Sequence, residues 1–234
     1  MSTRTGSRDA TLVGWVPFAC MLAAIALLAT SAVMWVLSPN WGLRNPITAP
    51  RDIGVVPQSA SPVAVEQSAA RTVLESPDRI VIPKLHTDAP IVAVGTEPSG
   101  ALQIPLDPRV TGWWRYGAEP GAAVGSAIIA GHINYAGVEG ALARIGTLDP
   151  GDRIVVYGLV AGRQQQVQFR VTGVRTYVKK TLPYQEIFDQ RSIGRLVVVT
   201  CGGPFDASTG NYLDNIVAYA VPVTAADGTP PPPS

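Results

Sequence analysis

Residues 78–223 are broken into short apolar runs, and that pattern limits the architecture more than any other feature. Val- and Ile-rich stretches recur at 79–82, 90–94, 126–130, 153–157, 195–200 and 215–221, each bounded by Gly, Pro, Asp or Asn. Runs of this length and composition are the signature of strands. At 166–171 the alternation is clean, which places Val167, Phe169 and Val171 on a core face. Gly173 then breaks the phase and predicts a bulge before 174–178. Only 138–145 reads as a short helix. With 21 Pro and 23 Gly in 234 residues, a long-helix protein is excluded. The expectation is an all-β domain, a closed or nearly closed β-barrel with short helices.

The rest of the chain is organised around an uncharged run, residues 12–37. As a helix it measures about 39 Å, enough to cross a hydrocarbon core of about 30 Å. A cleaved signal peptide has an apolar core of only about 7–15 residues, so an uncleaved signal anchor is the better fit. This run explains why the chain is 47% hydrophobic and only 15% charged, against about 25% charged in typical domains. Residues 1–11, with Arg4 and Arg8, form a tail expected in the cytoplasm. The remainder is then outside the cell. Residues 38–77, punctuated by Pro39, Pro46, Pro50, Pro57, Pro62 and Pro77, read as an extended linker, and 224–234 as a disordered tail. A net charge of +1 excludes a nucleic-acid binder working through bulk positive charge.

The two cysteines cannot pair, because Cys20 lies inside the membrane run and Cys201 beyond it. A lone thiol in an oxidising compartment is a candidate reactive group, with an inert buried cysteine as the alternative. Cys201 ends a hydrophobic run and precedes Gly202 and Gly203, whose freedom to turn and whose N–H groups suit an oxyanion site. Of the two histidines, His86 lies in a polar turn and reads as a surface residue. His132 follows another buried run ending at Gly131. A His beside a Cys activates the thiol and protonates a leaving amine.

The ordered segments Thr111–Gly112–Trp113–Trp114, Ala130–Gly131–His132 and Thr200–Cys201–Gly202–Gly203, behind an N-terminal anchor, resemble the sortases of Gram-positive bacteria. Ile82–Pro83–Lys84–Leu85 with Ala89–Pro90–Ile91 looks like the family's first-strand region, and the resemblance covers 80–223. The Trp pair and the Cys-Gly-Gly-Pro-Phe-Asp run are most similar to class F, with class E as the near alternative. The resemblance implies an eight-stranded barrel and a membrane-anchored cysteine transpeptidase. Its Cys attacks an LPxTG-like sorting signal, and an amine from a cell-wall precursor or pilin resolves the thioacyl enzyme. No cofactor and no metal is implied.

One departure stands out. The family places an Arg after the Cys, in a Tyr-Arg-Asp-Asn pattern for class F, where this chain has Tyr212–Leu213–Asp214–Asn215. Arg195, six residues before Cys201, stands about 20 Å away on an extended strand. Arg115 or Arg109 beside the Trp pair, or neutral donors from Tyr212 and Asn215, are the substitutes expected to hold substrate and oxyanion. Asn134, where Asp is common, is a smaller departure. Leu213 also leaves open a second function, a catalytically weak or inactive relative that binds sorting signals.

Overall fold

In the computed structural model, the described residues are 51–57 and 72–223. The expected anchor at 12–37, the cytoplasmic tail and the 224–234 tail lie outside them. Among the described residues no helix is long and apolar enough to cross a membrane.

Eleven strands form: β1 (Ile53–Gly54), β2 (Ser76–Ile82), β3 (Thr87–Val94), β4 (Thr111–Trp114), β5 (Ser126–Ala130), β6 (Asn134–Tyr135), β7 (Val138–Glu139), β8 (Arg153–Val160), β9 (Arg163–Val178), β10 (Arg195–Asp206) and β11 (Asn211–Pro222). Eight of them follow one another as β9-β11-β10-β5-β4-β3-β2-β8, and β8 pairs back onto β9. That closes the barrel and removes its free edges. Two of the contacts, β3–β4 and β5–β10, are parallel. A parallel pair needs a long crossover. Residues 95–110 provide it for β3–β4.

Alternation along the strands separates two cores. Leu196 and Val198 of β10, Ala127 and Ile129 of β5, and Ile216, Ala218 and Ala220 of β11 fill the barrel interior. Val167, Phe169 and Val171 join them, as the sequence pattern predicts. The opposite faces carry Ile128, Val197, Val217 and Tyr219, covered from outside by Leu182, Ile187 and Phe188 of the β9–β10 connection. Each large aliphatic side chain buried this way contributes about 1.5–3 kcal/mol. The expected bulge is present. Tyr219 faces Gly173 while Ala220 faces Val171, so Thr172 is the extra residue. One inserted residue moves every later side chain to the other face. Val171 points inward before it and Val174 after it, and Tyr177 joins the outer core.

Two expectations are corrected. Residues 138–145 are not a helix. Val138–Glu139 pairs with Asn134–Tyr135 across Ala136 and Gly137, both at positive φ. Two such residues form the two-residue turn that matches strand twist, and it outweighs weak helical periodicity. Leu142, Ile145 and Leu148, spaced by threes around a 3-10 turn at Ile145–Thr147, close the interior core instead. Nor are all the described parts of 38–77 a free linker. Leu74 is fully buried in the interior core, and β1 lies along β9 with Ile53 opposite Val174. The Arg51 N–H donates to Thr176 Oγ1 at 2.9 Å, and its guanidinium donates to the carbonyls of Gly146 and Leu148 and to the Asp149 carboxylate. Lys84, then Arg51, hold the Asp149 carboxyl below its ordinary range.

Arg195 anchors the outer core. It is only 2% exposed. Its Nε donates to Ser126 Oγ at 2.9 Å, its other nitrogens to the carbonyls of Pro57 and Glu186, and its guanidinium lies 5.3 Å from the Tyr219 ring centre. Losing these charge-assisted bonds costs about 2–3 kcal/mol. Arg195→Met therefore lowers the urea midpoint with little change in slope, measured by equilibrium unfolding. An unchanged midpoint would contradict this role.

Candidate active site

The parallel pairing of β5 with β10 assembles the site. Its register runs from Arg195 opposite Ser126 to Val199 opposite Ala130. It continues one step further, because the Gly131 N–H donates to the Val199 carbonyl at 3.1 Å and Thr200 Oγ1 donates to the Gly131 carbonyl at 2.9 Å. The next neighbours in this register are His132 and Cys201. Neighbouring strands lie about 4.8 Å apart. The faces agree as well. His132 follows Ile128 and Ala130 in phase, and Cys201 follows Val197 and Val199, so both turn to the outer face. Cys201 is a free, half-buried thiol.

His132 is held on two sides. Its ring stacks on Tyr135 with centres 5.0 Å apart, and its Nε2 lies 3.0 Å from the Pro105 carbonyl. A carbonyl only accepts, so Nε2 carries a hydrogen and Nδ1 is the nitrogen left to exchange a proton. Pro105 arrives on the 95–110 crossover, so the connection that permits β3–β4 pairing also orients the imidazole.

Cys201 does not end its strand, contrary to expectation. β10 runs on to Asp206, paired with β11 beyond the point where β5 stops. Gly202 and Gly203 make a bulge rather than a sharp turn. Gly202 stands opposite Asp214, whereas Gly203 and Pro204 fall between the paired positions. A Cβ on Gly202 would lie 2.5 Å from Ile216 Cγ1. Gly203 has φ +70°, and a Cβ there would strike the Asp214 carboxylate. Burial raises the Asp214 carboxyl above its ordinary value, with the Lys179 charge opposing.

Asn215 faces Cys201 directly across β11. Tyr212 lies further out, and its hydroxyl accepts a 2.8 Å bond from Asn134 Nδ2, which ties the β6–β7 hairpin to β11. That leaves the Tyr212 proton available for donation. Asn134 thus has a role that its spacing in the sequence did not reveal. Arg115 is not part of this group. Gly112 is level with Ala130 in antiparallel pairing, so Arg115 lies about 10 Å back toward the start of β5, with its guanidinium over Tyr116. Arg109 is exposed and paired with Asp107, and His86 is exposed as expected. Leu213 is 44% exposed.

The cation nearest the thiol escaped sequence reasoning. Lys179 Nζ lies 3.4 Å from Cys201 Sγ. Nothing in its Val-Lys-Lys-Thr context marks it, because the thiol it meets lies 22 residues away in sequence.

A sortase-domain family model matches residues 80–223. The chain belongs to the sortase family. That membership supports a transpeptidase-type function. Among solved structures, this sortase chain is similar to sortase C1 from Streptococcus agalactiae (18% identity, TM-score 0.47, covering 63% of this chain and 67% of that one). It is also similar to a lid mutant of sortase A from Corynebacterium diphtheriae (19%, 0.47, 68% and 74%). A third is sortase E1 from Streptomyces coelicolor with a tripeptide in its active site (21%, 0.46, 66% and 94%). A search among curated proteins returned no match.

The glycine bulge of this sortase domain is open to a direct check. A side chain at the Gly203 backbone conformation costs about 1–2 kcal/mol before any clash with Asp214. Gly203→Ala lowers the melting temperature and alters the alkylation rate of Cys201, read by mass spectrometry. A variant with both values unchanged would show that the bulge does not set the thiol's surroundings.

Proposed function

We propose that this sortase is an extracellular cysteine transpeptidase of class F or class E type, with Cys201 as nucleophile and His132 as the proton-transfer residue. Residues 12–37 would hold it in the cell membrane with the N-terminus in the cytoplasm. The observation that supports the proposal is the β5–β10 register, whose last contacts, at Gly131 and Thr200, come one residue before His132 and Cys201. The thiolate sulfur bonds to the Thr–Gly carbonyl carbon of an LPxTG-like signal, and the carbonyl electron pair moves to oxygen. Collapse of that oxyanion breaks the C–N bond, and the leaving amine takes a proton from the His132 imidazolium. An acceptor amine, from a cell-wall precursor or a pilin lysine, then attacks the thioester, yields its proton to the imidazole and releases the thiolate. Asn215, Tyr212 and the Gly202–Gly203 backbone border the space that the signal would occupy.

Leu213 supports the second reading, a domain that binds sorting signals and turns them over slowly. Losing one oxyanion donor costs about 10²–10³ in rate, so slow turnover is compatible with the same chemistry.

The test uses the full-length protein in detergent with LPxTG-type peptides and an amine. A thioacyl adduct on Cys201 is expected by mass spectrometry. Cys201→Ala abolishes it with the fold retained, and His132→Ala slows its formation by about 10²–10⁴. Peptide cleavage that survives in folded Cys201→Ala refutes the nucleophile assignment.

A further inference from the structure

We infer that Lys179 is a catalytic residue of this site, supplying positive charge to the Cys201 sulfur and to the oxyanion. This assignment rests on the transpeptidase reading for the oxyanion, and on geometry alone for the sulfur. Lys179 Nζ lies 3.4 Å from Sγ, and the side chain is partly buried. The three arginines that the sequence offered for this role are engaged elsewhere. Arg195 is bound to Ser126, Pro57 and Glu186 at the far end of β10, Arg109 pairs with Asp107, and Arg115 stacks on Tyr116.

Its placement has a structural cause. In β9, Val167, Phe169 and Val171 point into the barrel, and simple alternation would carry residue 177 inward too. The extra residue at Thr172 reverses the phase. Tyr177 then stands opposite Asn215, which itself stands opposite Cys201, all on the outer face. The last paired residues are Val178 and Asp214, and the 3-10 turn Lys179–Thr181 begins directly beyond them. That turn brings a cation to the sulfur, whereas Leu213 carries none.

An ammonium beside a thiol favours the thiolate, which is the attacking species. As sulfur bonds to the carbonyl carbon, negative charge moves from Sγ to the carbonyl oxygen within reach of the same flexible side chain. The proton sent to the leaving amine comes from His132.

The experiment alkylates the full-length protein at pH 7 with neutral iodoacetamide and with anionic iodoacetate. It also follows thioacyl formation with an LPxTG-type peptide. Lys179→Met is expected to slow iodoacetamide about tenfold and iodoacetate more than that, and to slow acylation about 10²-fold. Lys179→Arg, and Leu213→Arg placed in the Lys179→Met background, are expected to restore the iodoacetate preference, an outcome that a purely packing role does not produce. Alkylation by both reagents at wild-type rates in Lys179→Met overturns the assignment. So does an equal loss in Lys179→Arg. If the wild type forms no thioacyl adduct while Lys179→Met still slows alkylation, the transpeptidase reading fails and the pairing of Lys179 with Cys201 stands. Normal acylation in Lys179→Met overturns the catalytic assignment of Lys179 and leaves the transpeptidase reading standing.

Discussion

Parallel pairing of β5 with β10 is the contact on which the site depends. It joins segments 69 residues apart, as the Thr200–Gly131 hydrogen bond marks. Between them lie the β6–β7 hairpin, the β8–β9 hairpin and the covering connection. A slip of one residue would keep the hydrogen-bonding pattern but send either His132 or Cys201 toward the interior. The apolar side chains of Ala127, Ile129, Leu196 and Val198 hold the register, because the same slip would exchange residues fitted to the interior core with Ile128 and Val197, which are fitted to the outer one. Packing in the barrel thus fixes chemistry on its surface.

Two bulges then modify the regular alternation where the site needs it. The one at Thr172–Gly173 reverses the phase of the end of β9 and brings Tyr177 to the face that carries Cys201. The one after Gly202 lets β10 continue past the thiol with Gly203 against the Asp214 carboxylate. Bulges recur where strands must re-aim side chains, and here both flank one cysteine.

Charge is used sparingly and at separate points of β10. Arg195 is enclosed by carbonyls and an aromatic ring and secures the outer core. Six residues on, the half-buried thiol meets an ammonium from the turn that follows β9. Between them runs an uncharged stretch, Leu196 to Thr200, so the two cations act independently. A third charged cluster, Arg51, Lys84, Asp149 and Asp152, fastens the segment before β2 to the barrel.

Much of this was legible in the chain. Val/Ile runs bounded by turn residues announce the strands, the 166–171 alternation names its buried face, and Gly173 marks the bulge, because side-chain period and backbone sterics are local properties. The lone Cys201 and the strand-ending His132 stand out as chemistry for the same reason. The hairpin at 134–139 was missed where a turn preference overrode weak helical spacing, and the packing of Leu74 and Arg51 was missed because their partners are distant. Arg115 looked close to the site in sequence but runs the wrong way along an antiparallel strand. Sequence alone determined that there would be strands, a free thiol and an imidazole. Only the tertiary structure decided which strands are neighbours and in what register, and hence that Lys179, unremarkable in its own segment, stands beside the sulfur. Cross-strand neighbours are chosen by burial of the whole barrel, which no single segment encodes.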